Sequence, residues 1–261
     1  MNTKLTFAIF LLFASTFLSA QTALNLTDSK GRKQGYWVKY NAQKKKLYEG
    51  TFVDNIPTGK FIYYYDTGIQ RSIAIFSNNG KVTRTKMFDS GGNLSGEGKY
   101  VDEQKDSTWV FYNQEGKKIS DEIYLKGIKN GIARVYFANG ELAEEKFYKN
   151  GMLEGVAKKF FESGQIKSQM NYVNNKVDGI GTFYYPSGKI DAQGKYVNDL
   201  KEGDWKYFDE NGKLKQTLKY RNGRRMNDDS DVITKEKENA AKLKYQQFEI
   251  KDPFEEGYTP K

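Results

Sequence analysis

The 261-residue chain carries 42 Lys and Arg against 33 Asp and Glu, a formal net charge of +9, and has neither cysteine nor histidine. Those two absences exclude disulfides, thiolate nucleophiles, zinc sites of the usual kind and every acid, base or triad built on imidazole. A mean hydropathy of −0.79 beside 15% aromatic residues describes a chain that buries rings rather than aliphatic mass, which suits a thin sheet better than a thick globule.

In chain order, residues 1–20 read as a cleavable signal peptide: Lys4 in a short basic start, an apolar run from Leu5 to Leu18, then Ser19 and Ala20, with cleavage expected after Ala20. The apolar run, about 14 residues, is shorter than the roughly 20 that span a bilayer. With no cysteine to take a lipid, the expectation is a mature protein free in a periplasm or outside the cell. Residues 21–34 read as a lead-in partial repeat, because Gly31 lies 24 residues before Asn55. An atypical terminal copy suits a stacked array, whose outer edge otherwise offers unpaired N–H and C=O groups to other chains.

Residues 35–226 are eight 24-residue copies with no insertion or deletion, starting at Gly35, Gly59, Thr83, Ser107, Gly131, Gly155, Gly179 and Gly203. Counting each of these as position 0, position 5 is aromatic in every copy, from Tyr40 to Phe208. So is position 17, from Phe52 to Tyr220, and position 9 is glycine in all copies but the first, where Lys44 stands. Each copy holds two short runs rich in aromatic and β-branched residues, such as Phe61 to Tyr65 and Lys195 to Val197, bounded by Gly and Asn. These are strand signals, spaced too tightly for crossover helices. The fold class expected is all-β: an extended single-layer antiparallel meander of hairpin repeats.

Two kinds of turn alternate. Ala138-Asn139-Gly140 and Glu210-Asn211-Gly212 read as three-residue hairpin loops with glycine in the left-handed region. Such a loop sets the ring at position 5 opposite position 11. Asn150-Gly151 and Asn222-Gly223 supply the other turn. A plain two-residue turn there would swap the faces from copy to copy, so a longer loop or a bulge is expected. The third copy, Thr83 to Asp106, departs most, with Thr85 where other copies have Trp37, Phe61, Trp109 or Trp205. Beyond Met226, residues 227–261 read as a polar linker, a capping helix with Ala241, Tyr245 and Phe248 on one side, and a tail.

Tyr48-Glu49-Gly50-Thr51-Phe52 followed by Gly59-Lys60-Phe61, and Gln193-Gly194-Lys195-Tyr196 followed by Gly203-Asp204-Trp205, resemble the MORN repeat. More closely they resemble its bacterial variant, the YwqK-type antitoxin group. The resemblance covers about three quarters of the chain. It implies an adaptor that makes protein–protein contacts, sometimes lipid binding, and in the antitoxin subset neutralisation of a toxin.

Candidate chemistry is sparse. Gly91-Gly92-Asn93-Leu94-Ser95-Gly96 lacks the Lys-Ser/Thr ending and the helix of a phosphate loop. Glu144 and Glu145 are adjacent, so in a regular strand they point to opposite faces and cannot flank one bond. No catalytic, cofactor or metal residue is assigned, and the chain is expected not to be an enzyme. The basic clusters Lys44-Lys45-Lys46, Lys117-Lys118, Lys158-Lys159 and Arg224-Arg225 are read as edge protection or as attraction for an anionic surface. The candidate binding surface is Trp37, Phe61, Trp109 and Trp205 together with Lys158 and Lys159. The expected function is an exported, non-enzymatic scaffold for another protein at the cell envelope, with an antitoxin or immunity role inside that class; the alternative is a binder of anionic lipid or glycan. No nucleic-acid partner is expected, and the oligomeric state is left open.

Overall fold

A computed structural model describes residues 23–226. The expected signal peptide and C-terminal helix therefore lie outside the described residues. Among those residues there is no helix, and strands follow one another in antiparallel meander order. They fall into two compact units, up to Met152 and from Leu153.

In the first unit, ten antiparallel pairings link eleven strands in chain order, from Leu26–Thr27 and Lys33–Tyr40 through to Ile128–Tyr136 and Leu142–Lys149. In the second, Gly155–Phe160, Ile166–Val173, Lys176–Tyr184, Ile190–Val197, Leu200–Phe208, Leu214–Arg221 and Arg224–Arg225 pair in the same way. The three-residue loops are as the spacing predicts. Tyr65 N–H donates to Ile69 O at 2.8 Å and Gly68 N–H to Tyr65 O at 2.8 Å, with Gly68 at φ +86°. Position 5 faces position 11, as in Tyr64↔Gln70 and Phe208↔Leu214. Aspartate or asparagine at position 6 fastens several of these loops: Asp89 Oδ1 accepts from the N–H of Gly91 and of Asn93, both at 2.9 Å.

The other turn is where the register is decided. Asp54-Asn55 (φ 52° and 69°), Asn150-Gly151 (52° and 80°) and Asn222-Gly223 (48° and 77°) have both central residues left-handed, the two-residue type I′ turn that matches strand twist. Each turn is also tied to its neighbour. Gly151 N–H donates to Lys129 O at 2.8 Å and Gly223 N–H to Lys201 O at 2.9 Å, while Asn150 N–H donates to Asn130 Oδ1 at 3.0 Å.

Two-residue turns alone would alternate the faces, and a bulge at position 0 prevents it. Val53↔Ile56 and Thr51↔Thr58 run in one register, but Glu49↔Ile62 has slipped by two residues. Gly59, at φ +65°, sits in the slip. The same bulge recurs at Ser107 (φ 61°) and Gly203 (φ 68°). The third copy takes the other route: Ser77 pairs with Val82 across the four residues 78–81, and the pairing then runs without a shift to Ser72↔Met87. Both routes consume the same number of residues, which is why the copies keep one length. It also explains why Thr83 stands where other copies have a left-handed glycine or serine. The lead-in differs from a full copy, since Asp28 to Arg32 closes as a fastened loop, with Asp28 Oδ1 accepting from Lys30 and Arg32 N–H at 2.9 Å, and Arg32 reaching Asp54 at 3.1 Å.

Candidate binding faces

Bulge and turn together keep positions 2, 4, 13, 15, 17 and 22 on one face throughout a unit, here the ring face, and positions 1, 3, 14 and 16 on the other. On the ring face, the side chain at position 2 lies over position 15 of the copy before it. Phe61, Trp109 and Trp205 occupy that place and are 1%, 0% and 0% exposed. They fit because the residue beneath each is glycine. A Cβ on Gly50 would come within 2.4 Å of Phe61, and one on Gly98 or Gly194 within 2.3 Å of the indole of Trp109 or Trp205. The indoles of Trp109 and Trp205 donate to the carbonyls of Lys99 (3.0 Å) and Lys195 (3.1 Å) beside the bulge.

Each tryptophan follows a lysine by four residues, and that lysine lies over the rings. Lys105 Nζ is 4.8, 5.1 and 5.0 Å from the ring centres of Trp109, Phe111 and Tyr124. Lys201 Nζ is 4.2, 5.6 and 5.0 Å from Trp205, Tyr207 and Tyr220. Burial lowers the pKa of both ammonium groups. Lys33 covers Trp37 and Phe52 at 4.9 and 4.6 Å. Contacts of this kind contribute about 0.5–2 kcal/mol each. The rings themselves meet edge to face, as in Tyr100–Trp109 at 4.8 Å and Tyr196–Trp205 at 5.0 Å, an arrangement favoured by their quadrupoles.

This placement corrects the expected binding surface. Phe61, Trp109 and Trp205 are core, closed from below by glycine and, for the two tryptophans, from above by lysine. Trp37 is half-buried, with its indole N–H on Leu26 O (3.0 Å) and Gln34 O (3.1 Å). Lys158 and Lys159 are neighbours in Gly155–Phe160 and so point to opposite faces, Lys158 on the side of Gln169 and Lys159 on the side of Ser168. They do not form one patch. In the other lysine clusters of the first unit, Lys46 pairs with Glu49 at 2.9 Å, Lys117 with Glu115 at 3.2 Å and Lys118 with Asp121 at 2.7 Å.

The second face is organised in rows that cross the strands at positions 3 and 14. In the first unit one row runs Lys86↔Glu97↔Val110↔Asp121↔Arg134↔Glu145. Its charges alternate and pair. Lys86 lies 3.8 Å from Glu97, and Arg134 lies 3.6 Å from Asp121 and 2.9 Å from Glu145. Tyrosines at position 5 add hydrogen bonds, Tyr136 to Asp121 at 2.6 Å, Tyr112 to Glu97 at 2.7 Å and Tyr64 to Glu49. Burial raises the Asp121 pKa, but the hydrogen bonds from Lys118 and Tyr136 outweigh it, and the carboxyl stays below its ordinary value. In the second unit the same row reads Lys158↔Gln169↔Thr182↔Gln193↔Lys206↔Thr217, with Gln193 Nε2 donating to Thr182 Oγ1 at 3.0 Å. No acid stands on it. Single-copy periodicity did not point to these residues, because the row exists only once strands from neighbouring copies are in register.

The lowered carboxyl pKa values set an acid limit. Backbone N–H groups, Arg32 first, hold Asp28 at about 2, Lys99 lowers Asp106, and Asp121 is lowered as above. The unfolded chain binds these protons at higher pH than the folded one, so the stabilisation is complete above the ordinary carboxylate value of about 3.9 and is lost as pH falls through the folded values. Denaturant midpoints of the full chain are therefore expected to fall between about pH 4 and pH 2, and Asp121→Asn to flatten that fall. An unchanged acid limb in this variant would refute the assignment.

With fold and faces in place, the chain can be compared with known proteins. Residues 129–150, 153–174, 177–198 and 201–222 match the family model described as the MORN repeat variant. Residues 129–222 are four MORN repeat variants. The copies before them, from Gly35, keep the same 24-residue period and antiparallel meander, the third with its four-residue turn in place of the two-residue turn and bulge. Each match starts just after a type I′ turn and ends at the first residue of the next, so the MORN unit is one hairpin read from turn to turn. No curated protein matches the chain. A crystal structure of a mutant of S. aureus TarM in complex with Fondaparinux, alpha-GlcNAc-glycerol and UDP is similar at 17% identity over 37% of this chain and 19% of that one, with a TM-score of 0.29. A crystal structure of TarM is similar at 17% identity over 36% and 20%, with a TM-score of 0.28. This chain spans about a fifth of the length of those proteins.

Proposed function

We propose that the chain is an exported, non-enzymatic MORN-variant scaffold that holds another protein at the cell envelope, an antitoxin- or immunity-type binder being one form of that role. The observation that carries this reading is the asymmetry of the two faces. The ring face is filled by its own packing, Gly98 under Trp109 and Lys105 over it, while the other face presents cross-strand rows of side chains at fixed spacing. A regular, laterally extended surface of this kind suits recognition by contact. The non-enzymatic part rests on the residues: the carboxylates of the first unit's row are paired to lysine, arginine or tyrosine, and Glu144 pairs with Lys146 at 2.8 Å on the opposite face from Glu145.

Immobilised mature chain, from Gln21 onward, is expected to retain one protein from an envelope extract in stoichiometric amount, read by mass spectrometry and by the mass of the complex. Retention of none would sink the scaffold reading. A second reading, a binder of anionic lipid or glycan, draws on the acid-free row of the second unit. Binding of the purified chain to anionic vesicles or polysaccharide that falls as salt rises would favour it.

A further inference from the structure

Residues 153–226 carry 14 Lys and Arg against nine Asp and Glu, and most of those acids are engaged away from the lysines. Glu154 accepts from Asn174 N–H (2.9 Å), Asp178 from Asn198 N–H (3.4 Å), Asp199 from Val177 N–H (2.7 Å) and Glu202 from Asn222 N–H (2.8 Å). Asp209 fastens its own loop through Asn211 and Lys213 N–H. Asp191 lies beside the hydroxyl of Tyr185, which donates to Phe208 O at 2.8 Å. The carboxylates of this unit thus serve its turns and loops, whereas those of the first unit's row pair with cations on the open face.

The consequence appears on the open face. Among the described residues, Lys158 and Lys206 on the row, and Lys195 and Lys219 beside it, have no carboxylate within ion-pair distance. Asp204, across from Lys219 in register, is the one acid at positions 1, 3, 14 or 16 of this unit. Lys158 and Lys206 are four strand steps apart, about 19 Å, with Gln169, Thr182 and Gln193 between them. On the same face, Val156 and Ile180 are 45% and 55% exposed, Val156 opposite Asn171 and Ile180 opposite Lys195.

We infer that the open face of the second unit receives an acidic protein surface carrying an aliphatic anchor. The inference rests on the scaffold reading and adds the chemistry of the partner. Uncompensated cations at fixed spacing select a complementary acidic surface and steer its approach. Glutamine side chains both donate and accept, which matches peptide groups, and Val156 and Ile180 gain from being covered by apolar atoms. A sulfated or phosphorylated glycan would satisfy the lysines and leave those two aliphatic residues in water.

The test uses the full chain with three probes: a ten-residue peptide alternating Glu and Val, heparin, and vesicles containing phosphatidylglycerol. The peptide is expected to bind at low salt and to weaken at 300 mM salt. Lys158→Glu with Lys206→Glu should reduce its affinity by about tenfold or more, Ile180→Ser by about threefold, and Lys60→Glu in the first unit not at all, with circular dichroism unchanged in each variant. Absence of peptide binding, or insensitivity to Ile180→Ser, overturns the inference. Tighter binding of heparin assigns the face to a glycan, and tighter binding of vesicles to a membrane; each also overturns it. If envelope extract yields a stoichiometric partner that the double variant retains equally well, the scaffold reading stands and this face is the wrong one.

Discussion

Gly194→Ala is expected to destabilise the second unit by about 2–3 kcal/mol, and to become neutral or slightly favourable once Trp205 is alanine. The added Cβ would fall 2.3 Å from the indole, and the ring has nowhere to go: it is 0% exposed, edge-on to Tyr196 at 5.0 Å and covered by Lys201 at 4.2 Å. Overpacking of a filled core costs in this range. Trp205→Ala alone should cost about 3–5 kcal/mol through the void it leaves. In that void the new methyl is harmless, and alanine suits a strand better than glycine by about 0.5–1 kcal/mol. A coupling of about 2–4 kcal/mol in the double-mutant cycle follows, read from urea unfolding. Equal costs of Gly194→Ala in both backgrounds would show that ring and glycine are not a fitted pair. The chain already contains relaxed versions of the contact: Thr85 lies over Ala74 and Ala133 over Glu122.

Deleting Gly59 should be more damaging than any substitution of it. Gly59→Ala is expected to cost about 1–2 kcal/mol, because φ is +65° but nothing lies within 4 Å of the new Cβ. Removing the residue takes away half of the two-residue slip between Thr51↔Thr58 and Glu49↔Ile62. The strand must then turn Phe61 off the ring face or dislodge the type I′ turn at Asp54-Asn55. A loss of more than about 4 kcal/mol is expected, seen as early unfolding in urea by fluorescence of Trp37 and Trp109. A deletion variant within about 1 kcal/mol of the parent would mean that the bulge does not set the register. Thr83→Gly offers the converse: in the third copy the four residues 78–81 carry the slip, and glycine there should bring only its entropic cost of about 0.5–1 kcal/mol.

Much of this architecture was legible in the sequence because it depends on local spacing. The left-handed glycines of the three-residue loops, the pairing of position 5 with position 11, and the need for a bulge or longer loop beside Asn-Gly all follow from hairpin geometry within one copy. The fate of the rings was misjudged, because it is decided between copies. Trp109 and Trp205 read as candidate binding residues, whereas glycine eleven residues earlier, Gly98 and Gly194, lets each ring sink onto the backbone. That spacing was visible, and Gly50 before Phe61 repeats it. The row from Lys158 to Thr217 was harder to see, since no fixed interval within a copy marks it and it emerges only from the cross-strand register.

The fit of position 2 onto position 15 also bears on how such a chain can be edited by recombination. A crossover that excised residues 107–130 would preserve the period and the turns and bulges of the remaining copies. It would nevertheless bring Ala133 onto Gly98 and leave a hole where the indole of Trp109 had been, with Lys105 stripped of all three of its rings and given only Tyr148 in exchange. The 24-residue copies are therefore not interchangeable parts. What is inherited as a working piece is the seam, glycine from one copy with tryptophan from the next, and the array can lengthen or shorten without loss only by cuts that leave its seams whole.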